Sequence, residues 1–174
     1  MLKGLHHNAY RCRDSEETRR FYEDFLGLPL SKALWIGETK TGQSTRALHT
    51  FYRMGDGSFL AFFEVPGRPF EFREQHDYDL HIALEVAPEQ LQPMLEKGRA
   101  AGIETRGISD HGFIDSIYLR DPNGYVIELT AKRSDHEAQI RAGTQEARGI
   151  LADWQADKAA RQAPGTRHPA TRAR

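Results

Sequence analysis

The sequence predicts an α+β fold in which two βαβββ repeats form a curved mixed sheet around a cavity, with a further helix at the C-terminal end. Two observations carry this reading. The order strand, helix, three strands occurs once between residues 4 and 66 and again between 78 and 133. The repeat length, roughly 70 residues, is too long for a solenoid period and matches one supersecondary unit used twice.

The elements follow in order. "GLHHNAYRCR" has strand length and a rough alternation of apolar and polar residues. "DSEETRRFYEDFLGL" reads as a helix: Asp14 is an N-cap with Glu17 completing a capping box, Phe21, Phe25 and Leu26 form an apolar face, and Gly27 ends it. Three strands follow, "PLSKALWIGE", "STRALHTFYRM" and "SFLAFFEV", the last two joined by a "GDG" hairpin turn. Residues 67–77 are a linker rich in turn formers. The second repeat opens with "DLHIALEV" and continues with a helix over "APEQLQPMLEKGRAAG", its first turns bent by Pro93. "IETRGI", "FIDSIYLR" and "YVIELTAK" complete it, with "DPNG" as the last turn. The repeats, 1–66 and 78–133, make one domain. Residues 134–161 form a polar helix with Ile140, Ile150, Leu151 and Trp154 as a thin apolar stripe, and 162–174 form a basic, disordered tail.

Composition narrows the function classes. The 174-residue chain is 39% hydrophobic and 28% charged, as expected for a globular protein, and its formal charge of −1 argues against nucleic acid or an anionic membrane as partner. Cys12 is the only cysteine, so no intramolecular disulfide forms. With no apolar run of membrane length near the N-terminus, the expected location is cytoplasmic.

Strand parity then singles out a site. In "YVIELT", Tyr125, Ile127 and Leu129 share an apolar face that should meet the helices, which turns Glu128 to the concave side. The same parity in "DLHIALEV" turns His81 to that side, and in "HNAYRCR" it turns His7 there, with Tyr10 and Cys12 facing the helices. A lone strand histidine is more often a packed, hydrogen-bonded residue, and a lone strand glutamate is usually solvated or paired with a cation such as Arg11 or Arg120. Two imidazoles and a carboxylate on one face, each from a different strand, point instead to one divalent metal that supplies the counter-charge. Two His and one carboxylate with open positions is the usual non-haem Fe(II) arrangement; Mn, Ni and Zn also accept such ligands.

These segments resemble a known family. The βαβββ-βαβββ order, "RDSEETRRFYEDFLGLPL" and "YLRDPNGYVIELT" are similar to the vicinal oxygen chelate superfamily, which includes glyoxalase I, extradiol ring-cleaving dioxygenases, fosfomycin-resistance thiol transferases and bleomycin-binding proteins. The resemblance covers residues 4 to about 132. It implies His7, His81 and Glu128 as metal ligands, His7 rather than His6 because the family's first ligand lies seven residues before the helix-capping Asp. Glyoxalase I-like enzymes carry a fourth ligand near the end of the fourth strand, where this chain has Ala61, with Glu64 on the opposite face. Bleomycin-binding members lack the metal triad.

The resemblance therefore implies a metal-dependent enzyme, specifically an extradiol-type dioxygenase with Fe(II) acting on a catechol-like aromatic. Tyr118, ten residues before Glu128, would bind the substrate oxygen, and His111 would assist proton transfer. The family's acid-base His at the start of the fourth strand is missing; His49 or His76 would stand in for it. A glyoxalase-like lyase or isomerase, a thiol transferase, and a non-enzymatic module sequestering a small molecule are the alternatives. Trp35, Phe51 or Phe62 would line the cavity, and the chain is expected to form a homodimer through 136–157, with its halves exchanged between subunits or not.

Overall fold

A computed structural model describes residues 1–38 and 41–162. Strands β1 (His7–Arg11), β2 (Leu30–Glu38), β3 (Ser44–Arg53) and β4 (Phe59–Glu64) form one four-stranded sheet in the order β1-β4-β3-β2. Strands β5 (His81–Glu85), β6 (Thr105–Asp110), β7 (Ile114–Arg120) and β8 (Val126–Lys132) form a second in the order β5-β8-β7-β6. In each sheet the first strand runs parallel to the fourth and the other neighbours are antiparallel. The expected α+β duplication is thus present. Among the described residues the two sheets are not joined to each other by a strand ladder.

Helix α1 (Ser15–Arg19) starts where the sequence places its cap. The Asp14 carboxylate accepts the amides of Glu16 and Glu17, both at 2.8 Å, satisfying two of the orphan donors at a helix start. The helix then widens into a π-helical turn over Arg20–Phe25. Arg19 ties this irregular stretch together by bridging Glu16, Glu23 and Asp24.

The second helix differs from expectation at its start. Pro88–Gln90 form a 3-10 turn and α2 runs only from Leu91 to Ala100. Pro93 therefore lies in the first turn of α2, where its missing N–H costs no ladder bond, and no bend is needed to accommodate it.

The helix-facing sides of both sheets share one core. Phe21, Tyr22, Tyr52 and Phe62 of the first repeat cluster with Leu95, Ile117, Ile127 and Leu129 of the second. Tyr22 is fully buried and donates its hydroxyl to Asp121 at 3.0 Å. Asp121 opens the "DPNG" turn and also accepts the amides of Asn123 and Tyr125, at 2.9 and 2.8 Å. Burial raises the pKa of its carboxyl, and these bonds partly oppose the shift. Gly124 closes the turn at φ +95°, and a Cβ there would stand 2.3 Å from the Arg73 carbonyl oxygen. The linker can lie across the turn because that side chain is absent.

Helix α3 (His136–Gln162) follows β8. Its first turn is pinned to the β6–β7 hairpin: His136 Nδ1 lies 3.1 Å from the Phe113 carbonyl and Gln139 donates to the Gly112 carbonyl at 3.2 Å. Every residue from Glu137 to Arg161 is exposed, the apolar stripe included. The basic tail expected from residue 162 lies, apart from Gln162 at the helix end, outside the described residues.

Candidate metal site

Strand β8 behaves as its parity requires. Ile127 and Leu129 are buried in the shared core. Glu128 lies between them in sequence, is 5% exposed, and turns to the other face. There its Oε2 is 3.3 Å from His81 Nε2. The opposite nitrogen of that imidazole, Nδ1, sits 2.8 Å from the Asp77 carbonyl oxygen. A proton on Nδ1 satisfies this contact and leaves the Nε2 lone pair facing the carboxylate, the arrangement a metal-binding imidazole needs.

Two further sequence-selected residues join the same site. The Tyr118 hydroxyl donates to Glu128 Oε1 at 3.3 Å and lies 2.8 Å from His111 Nε2. Burial raises the Tyr118 pKa, and the adjacent Glu128 charge raises it further. The phenol therefore holds its proton and works as a donor.

His7 stands elsewhere. It begins β1 and its ring neighbours are His6, His49 and Phe51, with centroids 5.0, 6.4 and 5.6 Å away. Among the described residues of one chain, no three His, Cys, Asp or Glu side chains come together to hold a metal. The shared core explains the separation. Both sheets pack their helix-facing sides into it, so the face with His7 and the face with His81 and Glu128 each look outward.

The other candidates sort as follows. Glu64 accepts the Ser15 amide at 2.7 Å, at the start of α1 and away from the ligand face. Arg11 donates to the Val65 and Arg68 carbonyls, and Arg120 pairs with Glu104. Among the described residues no Lys or Arg forms an ion pair with Glu128. Its buried charge faces only an imidazole and a phenol, a donor set that fits a divalent cation.

Of the aromatics, Phe51 lies beside His7, Trp35 is exposed under Arg46, and Phe62 is wholly buried against Tyr22 in the core, so it does not line a cavity. His76 caps its own loop by accepting the Tyr78 amide at 3.2 Å. His49 is buried, with Nδ1 3.0 Å from the Phe62 carbonyl and its ring stacked on Phe63, and burial lowers its pKa.

Sequence reading missed Asp77, whose main-chain carbonyl orients His81, and Arg106, whose guanidinium lies 4.4 Å from the Tyr118 ring centroid. A backbone acceptor leaves no side-chain signal. Arg106 is visible only once strands β6 and β7 are set in register.

The model of the "Glyoxalase/Bleomycin resistance protein/Dioxygenase superfamily" matches residues 4–129. The chain belongs to this superfamily. Solved structures of superfamily type share its fold. The fosfomycin resistance protein FosX from Listeria monocytogenes, complexed with Mn(II) and sulfate, is 20% identical with a TM-score of 0.59 over 79% of this chain and 99% of its own. FosX from Mesorhizobium loti is 22% identical, TM-score 0.59, over 80% and 99%. A glyoxalase/dioxygenase from Nostoc punctiforme is 21% identical, TM-score 0.58, over 76% and 93%. No curated protein matches the sequence.

Proposed function

We propose that this superfamily member is a metal-dependent enzyme, with His7, His81 and Glu128 as ligands, that opens the ring of a catechol-like aromatic in extradiol fashion. The observation that carries the reading is the contact series His111–Tyr118–Glu128–His81 on one sheet face. A divalent metal held there supplies Lewis acidity that lowers the pKa of a coordinated hydroxyl. Fe(II) suits two His and one carboxylate; the Mn(II) in the Listeria FosX structure supports a divalent ion without choosing iron.

The chain's own groups have assignable tasks. Glu128 and His81 hold position through Tyr118 and the Asp77 carbonyl. Tyr118 donates its hydroxyl hydrogen to the substrate oxygen when substrate replaces Glu128 as its acceptor. His111 is exposed and donates from Nε2 to the Tyr118 hydroxyl oxygen, so it takes the released substrate proton at Nδ1 and passes it to solvent.

The ligand set is completed by a second copy of the chain. His7 of one subunit meets His81 and Glu128 of the other when the outward faces of two chains come together, which makes the protein a homodimer with exchanged halves. The exposed stripe on α3 supports an additional contact between copies. Removing the chain after Arg133 is expected to shift the protein toward monomer by light scattering. A truncated protein that stays dimeric with full metal content makes α3 an appendage.

The function is tested by metal analysis, where about one transition metal per chain is expected, followed by anaerobic Fe(II) loading, a catechol panel and admission of O2. A ring-cleavage chromophore is the expected result. Activity with Zn or Ni without O2 would favour a lyase or isomerase, and a metal-free protein would favour a binding module.

A further inference from the structure

The register of the second sheet places Arg106 on the site's face, along with Arg120 and Lys132, which pair with Glu104 and Glu85. Arg106 on β6 stands opposite Tyr118 on β7, Tyr118 opposite Glu128 on β8, and Glu128 opposite Ala83 on β5. Residues paired in this way project to the same side. The neighbouring Thr105 points the other way, into the contact with Gly98 of α2. Arg106 therefore shares the outward face with Glu128, two strands away, roughly 10 Å at the usual strand spacing. Tyr118 lies between the two, so a substrate that reaches the guanidinium from the metal ligands passes over the Tyr118 side chain.

Arg106 is also held in place. Its guanidinium stacks on the Tyr118 ring at 4.4 Å, and Nη2 donates to the Asp77 carboxylate. Asp77 is the residue whose carbonyl orients His81, so Arg106 is fastened to both sides of the site. The described bonds of Arg106 use Nη2 alone, and its side chain is 56% exposed. Nη1, Nε and the second Nη2 hydrogen remain, so one two-pronged edge of the guanidinium is still available to an incoming acceptor. A planar fork with free donors, fixed over an aromatic face, matches a carboxylate better than a neutral group.

We infer that Arg106 determines specificity by binding a carboxylate carried on the far side of an aromatic substrate from its two metal-binding oxygens. The inference rests on the catechol reading of the site and names the substrate class within it: dihydroxybenzoates rather than unsubstituted catechols. Arg106 reads the substituent and takes no part in bond breaking.

The test is calorimetric binding of 3,4-dihydroxybenzoate and of catechol to the full-length protein loaded with Fe(II) under anaerobic conditions. Wild type, Arg106→Met and Arg106→Lys are compared, with metal content measured for each. Wild type is expected to prefer the carboxylated ligand. Arg106→Met should lose about tenfold to a hundredfold in affinity for it, the usual weight of a charged hydrogen-bonded contact, while catechol binding and metal content stay within about twofold to threefold. Arg106→Lys should recover part of the loss. Equal losses for both ligands, or none, overturn the inference and leave the catechol reading standing. A metal-loaded wild type that binds neither ligand overturns both.

Discussion

His7→Ala and His81→Ala proteins, each purified alone, are expected to bind no metal tightly, and mixing them with subunit exchange should bring binding back. In a dimer with exchanged halves, each site takes His7 from one chain and His81 with Glu128 from the other. A mixed dimer then has one site lacking both imidazoles and one site with all three ligands. Random exchange makes about half the dimers mixed, so about a quarter of the wild-type metal sites should return. The variants leave the shared core untouched, since both imidazoles lie on exposed faces. Failure of mixing to restore any metal, with exchange verified by mass labelling, would show that each chain completes its own triad. The readout is metal content, so it stands whether the reaction is oxidative or not.

Phe62→Ala is the substitution expected to cost most in stability. Phe62 is fully buried on β4, with its ring 4.6 Å from Tyr22 and 6.2 Å from Tyr10. Tyr22 in turn bonds Asp121 in the second repeat. Deleting the ring leaves a cavity in the shared core beside Tyr22, and the expected loss is about 3 to 5 kcal/mol. Urea denaturation followed by circular dichroism measures it. Because the core is common to both repeats, a single transition should move to lower urea without splitting. A loss under about 1 kcal/mol would mean that the core around Phe62 packs less closely than the Tyr22–Phe62 contact indicates.

The same core explains what the sequence could and could not disclose. Alternation in "YVIELT" and "DLHIALEV" was enough to turn Glu128 and His81 to one face, because a strand with one apolar side has a single workable orientation. The cap at Asp14 was legible because its carboxylate acts on amides two and three residues away. Local patterns carry no information on how the two sheets meet. Parity places His7 on an outward face equally well whether that face meets the second repeat of its own chain or of another. The linker over 67–77 is compatible with both, and strand alternation does not choose between them. Arg106 escaped for a related reason. "IETRGI" alternates weakly, and a shift in register between Gly107 and Ser109 breaks the count from the downstream side.

Helix α3 has a hydrodynamic consequence. Its 27 residues span about 40 Å at the usual rise per residue, and its described tertiary bonds lie in the first turn. An arm of that length adds friction out of proportion to its mass. Elution volume would then read as a heavier particle, and a monomer could pass for a dimer on a column calibrated with compact standards. Sedimentation velocity separates the two, because it returns the frictional ratio together with the mass. The ratio should fall when the arm is removed, and it should fall too if two arms lie flat against each other or against the sheets of a second subunit.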